Sequence, residues 1–151
     1  MVSSIRLRGI LIAAGAAVLL ALSFPRTGAA WCAPLGAAAL FCLWETASWK
    51  RAFATGWFAG WIFFTISFWW WSNTIKDDVG LFAYAAVFAG AALEALAFGA
   101  AGILTVAARS RVPAAFFPLA AACAFTATEW LRSVGLLGVP FAQLGTTQTD
   151  T

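Results

Sequence analysis

The sequence predicts an all-α integral membrane protein, a bundle of about five transmembrane helices with a Gly/Pro-containing outer loop. Three observations carry that prediction. The 151 residues are 63% hydrophobic and only 10% charged, against about half and about a quarter in ordinary soluble domains. The apolar residues fall in continuous runs, some near the roughly 20 residues that cross a bilayer as helix. The runs also lack the in-out alternation of a barrel strand, and in lipid only helices and closed barrels satisfy the backbone.

Five runs can be placed in order. The first, about 9–24, is stopped by Pro25-Arg26-Thr27-Gly28, and the second, about 31–45, ends before Ser48-Trp49-Lys50-Arg51. Both are short, so they read as two spans or as one tight helical hairpin. The third, about 52–71, is closed by the polar stretch Ser72-Asn73-Thr74-Ile75-Lys76-Asp77-Asp78. The fourth, about 80–108, is the longest and reaches roughly 43 Å as helix. Pro113 opens the fifth, about 113–132, where Pro118 is expected to distort the first turns. Together these make one multi-span membrane domain over 1–151, with no internal repeat.

The charges set an expected orientation. With the N-terminus cytoplasmic, Arg6, Arg8, Lys50, Arg51, Arg109 and Arg111 lie inside, while Arg26, Lys76 and Arg132 lie outside. That excess fits the positive-inside rule. The nine basic residues are therefore topology signals, and no nucleic-acid partner is expected. Arg6, Arg8 and the run Ile10–Leu22 also have the form of a signal peptide, with Gly28-Ala29-Ala30 as a cleavage site; that alternative leaves the orientation unchanged. Most of the nine Trp read as interfacial anchors: Trp31, Trp69, Trp70, Trp71 and Trp130 outside, Trp44, Trp49 and Trp57 inside.

Little catalytic chemistry is available. The chain has no His, which removes Ser-His and Cys-His catalysis. Cys32, Cys42 and Cys123 sit in apolar runs without disulfide or zinc spacing, so neither a metal nor a cofactor is expected. Gly56-Trp57-Phe58-Ala59-Gly60 is a GxxxG, a device for close helix packing. Glu94, in the middle of the fourth run, is costly in lipid and marks a candidate functional position. The same-face neighbours Gly90, Ala91, Ala97, Phe98 and Ala101 aim it at another helix, as an interhelical hydrogen-bonding group, part of a cleft, or an ion pathway.

The tail is the most informative stretch. Glu129 and Arg132 close the fifth helix three residues apart, near enough to pair and so to anchor the segment 135–148. That segment is apolar but broken by three Gly and Pro140. It reads as an outer loop or re-entrant element, with Glu129, Arg132, Pro140, Gln143, Gly145 and Gln148 as candidate cleft or loop-anchoring residues.

On Glu129-Trp130-Leu131-Arg132, then Gly138-Val139-Pro140-Phe141, then Gln143-Leu144-Gly145-Thr146-Thr147-Gln148, the chain resembles the N-terminal membrane region of the apolipoprotein N-acyltransferase family. Leu22-Ser23-Phe24-Pro25 resembles that family's L-x-F-P element, and Lys50-Arg51-Ala52-Phe53 before an aromatic third span fits as well. Ser133, Val139, Phe141 and Thr146 depart from the family's Gly, aromatic, Trp and Tyr. The resemblance implies acyl transfer from a phospholipid donor to the diacylglyceryl-cysteine of a lipoprotein acceptor. It also implies a nitrilase-like catalytic domain with a Glu-Lys-Cys triad, none of which lies within these 151 residues. Because Thr151 falls just past the family motif, without a last helix or basic tail, the chain reads as a truncated form, inactive alone. A small transporter or channel subunit using Glu94, or a structural partner in an envelope complex, are the alternative readings.

Overall fold

The computed structural model describes residues 2–24, 27–134, 142–144 and 146, with side chains from Leu7 onward. Its helices are α1 (Val2–Leu22), α2 (Cys32–Glu45), α3 (Trp49–Val79), α4 (Phe82–Arg109) and α5 (Phe117–Ser133). There is no strand among the described residues. Three helical stretches are long and apolar enough to cross a membrane: α3, α4 and Ala114–Ser133. Leu7–Leu22 and Cys32–Glu45 are shorter apolar helices. At 14 residues, α2 rises only about 21 Å, less than the roughly 30 Å hydrocarbon layer.

The scaffold is the α3/α4 hairpin. Nothing in Ser72–Asp78 breaks a helix, so the polar stretch that closes the third apolar run extends α3 to 31 residues. Gly80, at φ 60, then ends it, its N–H donating to the Lys76 carbonyl at 2.8 Å. A side chain rarely adopts that conformation, which is why glycine suits the turn. α3 is thus about 46 Å long and outreaches the apolar layer. The outer aromatic contact Trp69–Tyr84, at 5.5 Å, continues the pairing toward the tip.

Close approach of α3 and α4 rests on glycine. A Cβ on Gly56 would lie 2.5 Å from the Phe98 carbonyl oxygen, and one on Gly102 would lie 2.7 Å from that of Ala52. Gly60 meets the Ala95 backbone and the Phe98 side chain at 3.0 Å. The GxxxG of the sequence is therefore the α3 half of this contact.

Phenylalanines tie the remaining helices to that hairpin. Phe98 of α4 stacks on Phe63 at 5.4 Å and meets Phe125 of α5 edge-on at 4.8 Å. Phe41 of α2 touches Phe125 at 6.1 Å, and Phe24, just past α1, touches Phe63 at 5.6 Å. One cluster joins all five helices, each ring pair adding about 0.5–1.5 kcal/mol beyond burial. At the end where α2 meets α3, Arg109 donates to the backbone carbonyls of Glu45 and Ala47.

Two expectations need correction. Trp44 and Trp57 are not interfacial anchors. Trp44 is fully buried, its Nε1 donating to Thr55 Oγ1 at 3.3 Å, and Trp57 Nε1 donates to the Ala92 carbonyl at 2.9 Å. The indole N–H finds its partner on the facing helix, where lipid offers none. Pro118 does not distort α5: it lies in the first turn, after a short 3₁₀ turn at Ala114–Phe116, where its missing N–H has no partner to lose.

Candidate functional site

The site starts from two ionisable groups inside the apolar layer. α4 and α5 are consecutive, packed on one another and joined by a short connection, so they run antiparallel. Glu94 lies fifteen residues before Arg109, and Arg132 fifteen residues after Phe117. Each therefore stands about 22 Å from the connection, at one depth. Arg132 Nη1 donates to Glu94 Oε2 at 3.0 Å, with side-chain exposures of 5% and 13%. The guanidinium also sits over the Phe64 ring, 4.8 Å from its centroid. Planar and always charged, an Arg can hold a carboxylate and an aromatic face at once.

This corrects the pairing expected from the tail. Glu129 and Arg132 are one turn apart and interact electrostatically, but among the described residues the carboxylate Arg132 meets at ion-pair distance is Glu94. The Glu129 carboxylate instead accepts the Leu144 N–H at 3.0 Å. Spacing of three makes two side chains neighbours on a helix; a second charge isolated in lipid on the facing helix has the greater need of a partner.

Glu129 and Arg132 do reach the segment beyond α5. Besides the Leu144 bond, Arg132 Nη2 lies 3.5 Å from the Ala142 carbonyl oxygen. Ala142 and Leu144 pack against the hydrophobic core, and Ala142 holds a left-handed backbone at φ 58. The Gln143 carbonyl accepts both the N–H and the hydroxyl of Thr146, at 3.1 and 2.7 Å. Pro140, Gly145 and Gln148 lie outside the described residues.

Above the ion pair α5 stops, while α4 continues for twelve residues to Phe82, about 18 Å. A cleft of about 760 Å³ lies between the three helices, on both sides of the level of the ion pair. α3 contributes Phe68, Trp71 and Ile75, α4 contributes Val87, Gly90, Leu93 and Ala97, and α5 contributes Thr128 and Leu131. Glu94 and Arg132 are its charged lining. Such a wall suits hydrocarbon, with a polar group at one point to orient it. The described residues hold no group of three His, Cys, Asp or Glu placed for a metal. Cys32 is buried, whereas Cys42 and Cys123 are exposed. Phe64, Ala142 and cleft-lining residues such as Phe68 and Leu131 are among the site residues the sequence reading missed; Phe64 lies in an aromatic-rich stretch that marks no one ring.

Replacing Glu129 by Leu keeps the volume and removes the acceptor. Glu129→Leu is expected to cost about 1–3 kcal/mol and to speed amide exchange at Leu144, while Glu129→Gln retains most of the protection. Equal exchange at Leu144 in all three proteins would show that the carboxylate does not hold this segment.

Residues 16–151 match the apolipoprotein N-acyltransferase N-terminal domain. No curated protein and no solved structure matches the chain. A match over nearly the whole chain, on a helical membrane bundle whose Glu-Trp-Leu-Arg segment closes a cleft, identifies the chain as a member of the apolipoprotein N-acyltransferase N-terminal domain family.

Proposed function

We propose that this chain is the membrane platform for acyl transfer from a phospholipid to the amino group of a lipoprotein's N-terminal diacylglyceryl-cysteine. Its cleft seats lipid chain, and a nitrilase-like domain outside these residues carries the nucleophile. Family membership supports the reaction class. The observation that carries the reading is the apolar cleft with a buried ion pair in its wall. At about 760 Å³ it falls within the 300–1,000 Å³ typical of ligand pockets. Acyl transfer also needs an activated nucleophile. Cys32, Cys42 and Cys123 offer none, having no Lys and carboxylate beside them in their helices.

An ion pathway through Glu94 is less well supported. Its carboxylate is engaged by Arg132, and the rest of the cleft wall is largely apolar.

The test uses the purified chain in vesicles of phosphatidylethanolamine and phosphatidylglycerol, with a phospholipid carrying a photoreactive acyl chain. Cross-links are expected at Leu93 and Leu96, and Ala97→Phe should reduce them several-fold. No transfer to a diacylated lipopeptide is expected from this chain alone. Labelling that ignores Ala97→Phe, or turnover that survives replacing all three cysteines by Ser, would contradict the platform reading.

We further infer an inner-membrane location with the N-terminus cytoplasmic. The contacts of Arg109 with α2, and of Arg51 with the space beside Gly9, support one basic end; Lys76 lies near the other end of α3. In a chain with Cys32, Cys42 and Cys123 replaced by Ser, an impermeant thiol reagent added to intact spheroplasts should label Asp78→Cys. Ser48→Cys should react only after permeabilisation, and the reverse pattern would invert the orientation.

A further inference from the structure

The Glu94–Arg132 pair is uneven. Arg132 keeps 5% of its side chain exposed and Glu94 13%, so the carboxylate is the more open member. Arg132 Nη1 donates to Oε2, and among the described residues no donor meets Oε1. Ser67 Oγ and Thr105 Oγ1 also lack a partner among the described residues, but both are sealed under protein. Glu94 is not sealed: it lines the cleft, and Oε1 opens on it. Thr128, in the same wall, spends its hydroxyl on the Phe125 carbonyl at 2.8 Å. An acceptor in apolar surroundings is costly to leave without a donor. This oxygen therefore asks the occupant of the cleft for one.

Position and charge narrow what carries that donor. Along α4 the wall runs from Ala86 to Ala100, about 12 Å to one side of Glu94 and about 9 Å to the other. Val87, Gly90 and Leu93 lie on the one side, Leu96 and Ala97 on the other. The acceptor thus stands between two apolar stretches, and the donor it suits lies within an apolar molecule, not at its tip. The pair is also already balanced in charge. An ammonium entering the cleft would give up its water and add a third charge, whereas a neutral N–H costs far less to bury. A neutral N–H flanked by hydrocarbon on both sides is a secondary amide. The ester linkages of an ordinary phospholipid offer acceptors alone.

From the open carboxylate oxygen, its balanced charge and the apolar wall on either side, we propose that the cleft binds an amide-linked lipid whose N–H donates to Glu94 Oε1. Arg132 is the positioning residue, holding and neutralising the carboxylate from behind. An ester-linked lipid fits the same walls but sets an oxygen where Glu94 needs a donor. The inference rests on the reading of the cleft as a seat for lipid chain. Within acyl transfer it means that an N-acylated product is held better than the ester donor.

The test offers the purified full chain two phosphatidylcholines that differ in one linkage, an sn-2 ester or the corresponding amide. Retained lipid is then counted by native mass spectrometry. The choline headgroup has no N–H and both linkages carry a carbonyl, so the amide N–H is the single donor added. The amide is expected to be retained about tenfold better, the low end of what a hydrogen bond to a charged group is worth. Glu94→Leu combined with Arg132→Met removes both charges together, which buried pairs tolerate better than the loss of one member, and should abolish the preference. Ala97→Phe, which narrows the cleft, should bring the amide down to the level of the ester. Equal retention of the two lipids by the unmodified chain would overturn the proposal, and that comparison needs no variant to fold. So would a preference that survives the double variant. Diester phosphatidylethanolamine retained as well as the amide would also overturn it, by making a headgroup ammonium the donor. Cross-linking at Leu93 and Leu96 beside equal retention would remove the amide and leave the lipid seat standing.

Discussion

Two charges that cannot be left alone in hydrocarbon set the arrangement of this protein. A lone ionised side chain at the centre of a spanning helix, where Glu94 lies in α4, costs about 2.5–3.5 kcal/mol on insertion scales and more by other accounts. Glu94 and Arg132 meet that cost together, and they can do so only if α4 and α5 hold one relative height. Other features depend on that register. Phe125 comes level with Phe98, the last turn of α5 lies beneath Ala142 and Leu144, and α4 is left to rise beyond its partner. Breaking such a pair by removing one member is far more damaging than replacing both.

Unequal helix lengths shape one end of the cleft. Among the described residues α5 ends at Ser133, and the α4 face carrying Gly90, Leu93 and Ala97 lines the cleft. The glycine contacts between α3 and α4 let so long a hairpin stand as one unit. The platform role proposed for this domain asks that lipid enter from the side without dissolving the packing of the helices. A rigid hairpin with a shorter helix pinned against it meets both demands.

Much of this was legible in the residues. Apolar runs located the helices, Gly56 and Gly60 announced a close contact, and the tail motifs pointed to the family. The partner of Arg132 was obscured because Glu129 is one turn away, and local spacing is the only distance a sequence displays. Counting fifteen residues outward from each side of the α4–α5 connection would have brought Glu94 and Arg132 level. That count needs the helix ends, which Pro113 and Pro118 left ambiguous. The tryptophans misled for a related reason: composition places indoles at interfaces on average, whereas Trp44 and Trp57 each donate to one acceptor on one facing turn.

The central claim is that Glu94 and Arg132 act as one pair, and unfolding free energies of a double-mutant cycle in one fixed lipid mixture test it most directly. Arg132→Gln strands a buried carboxylate and is expected to cost about 3–5 kcal/mol. Adding Glu94→Gln to it should recover much of that loss, giving a coupling energy of about 1–3 kcal/mol. Reversing both charges, Glu94→Arg with Arg132→Glu, should be milder than either reversal alone. Losses that simply add, with no recovery in either double variant, would show that the two residues act separately and that something else sets the register of α5 on α4.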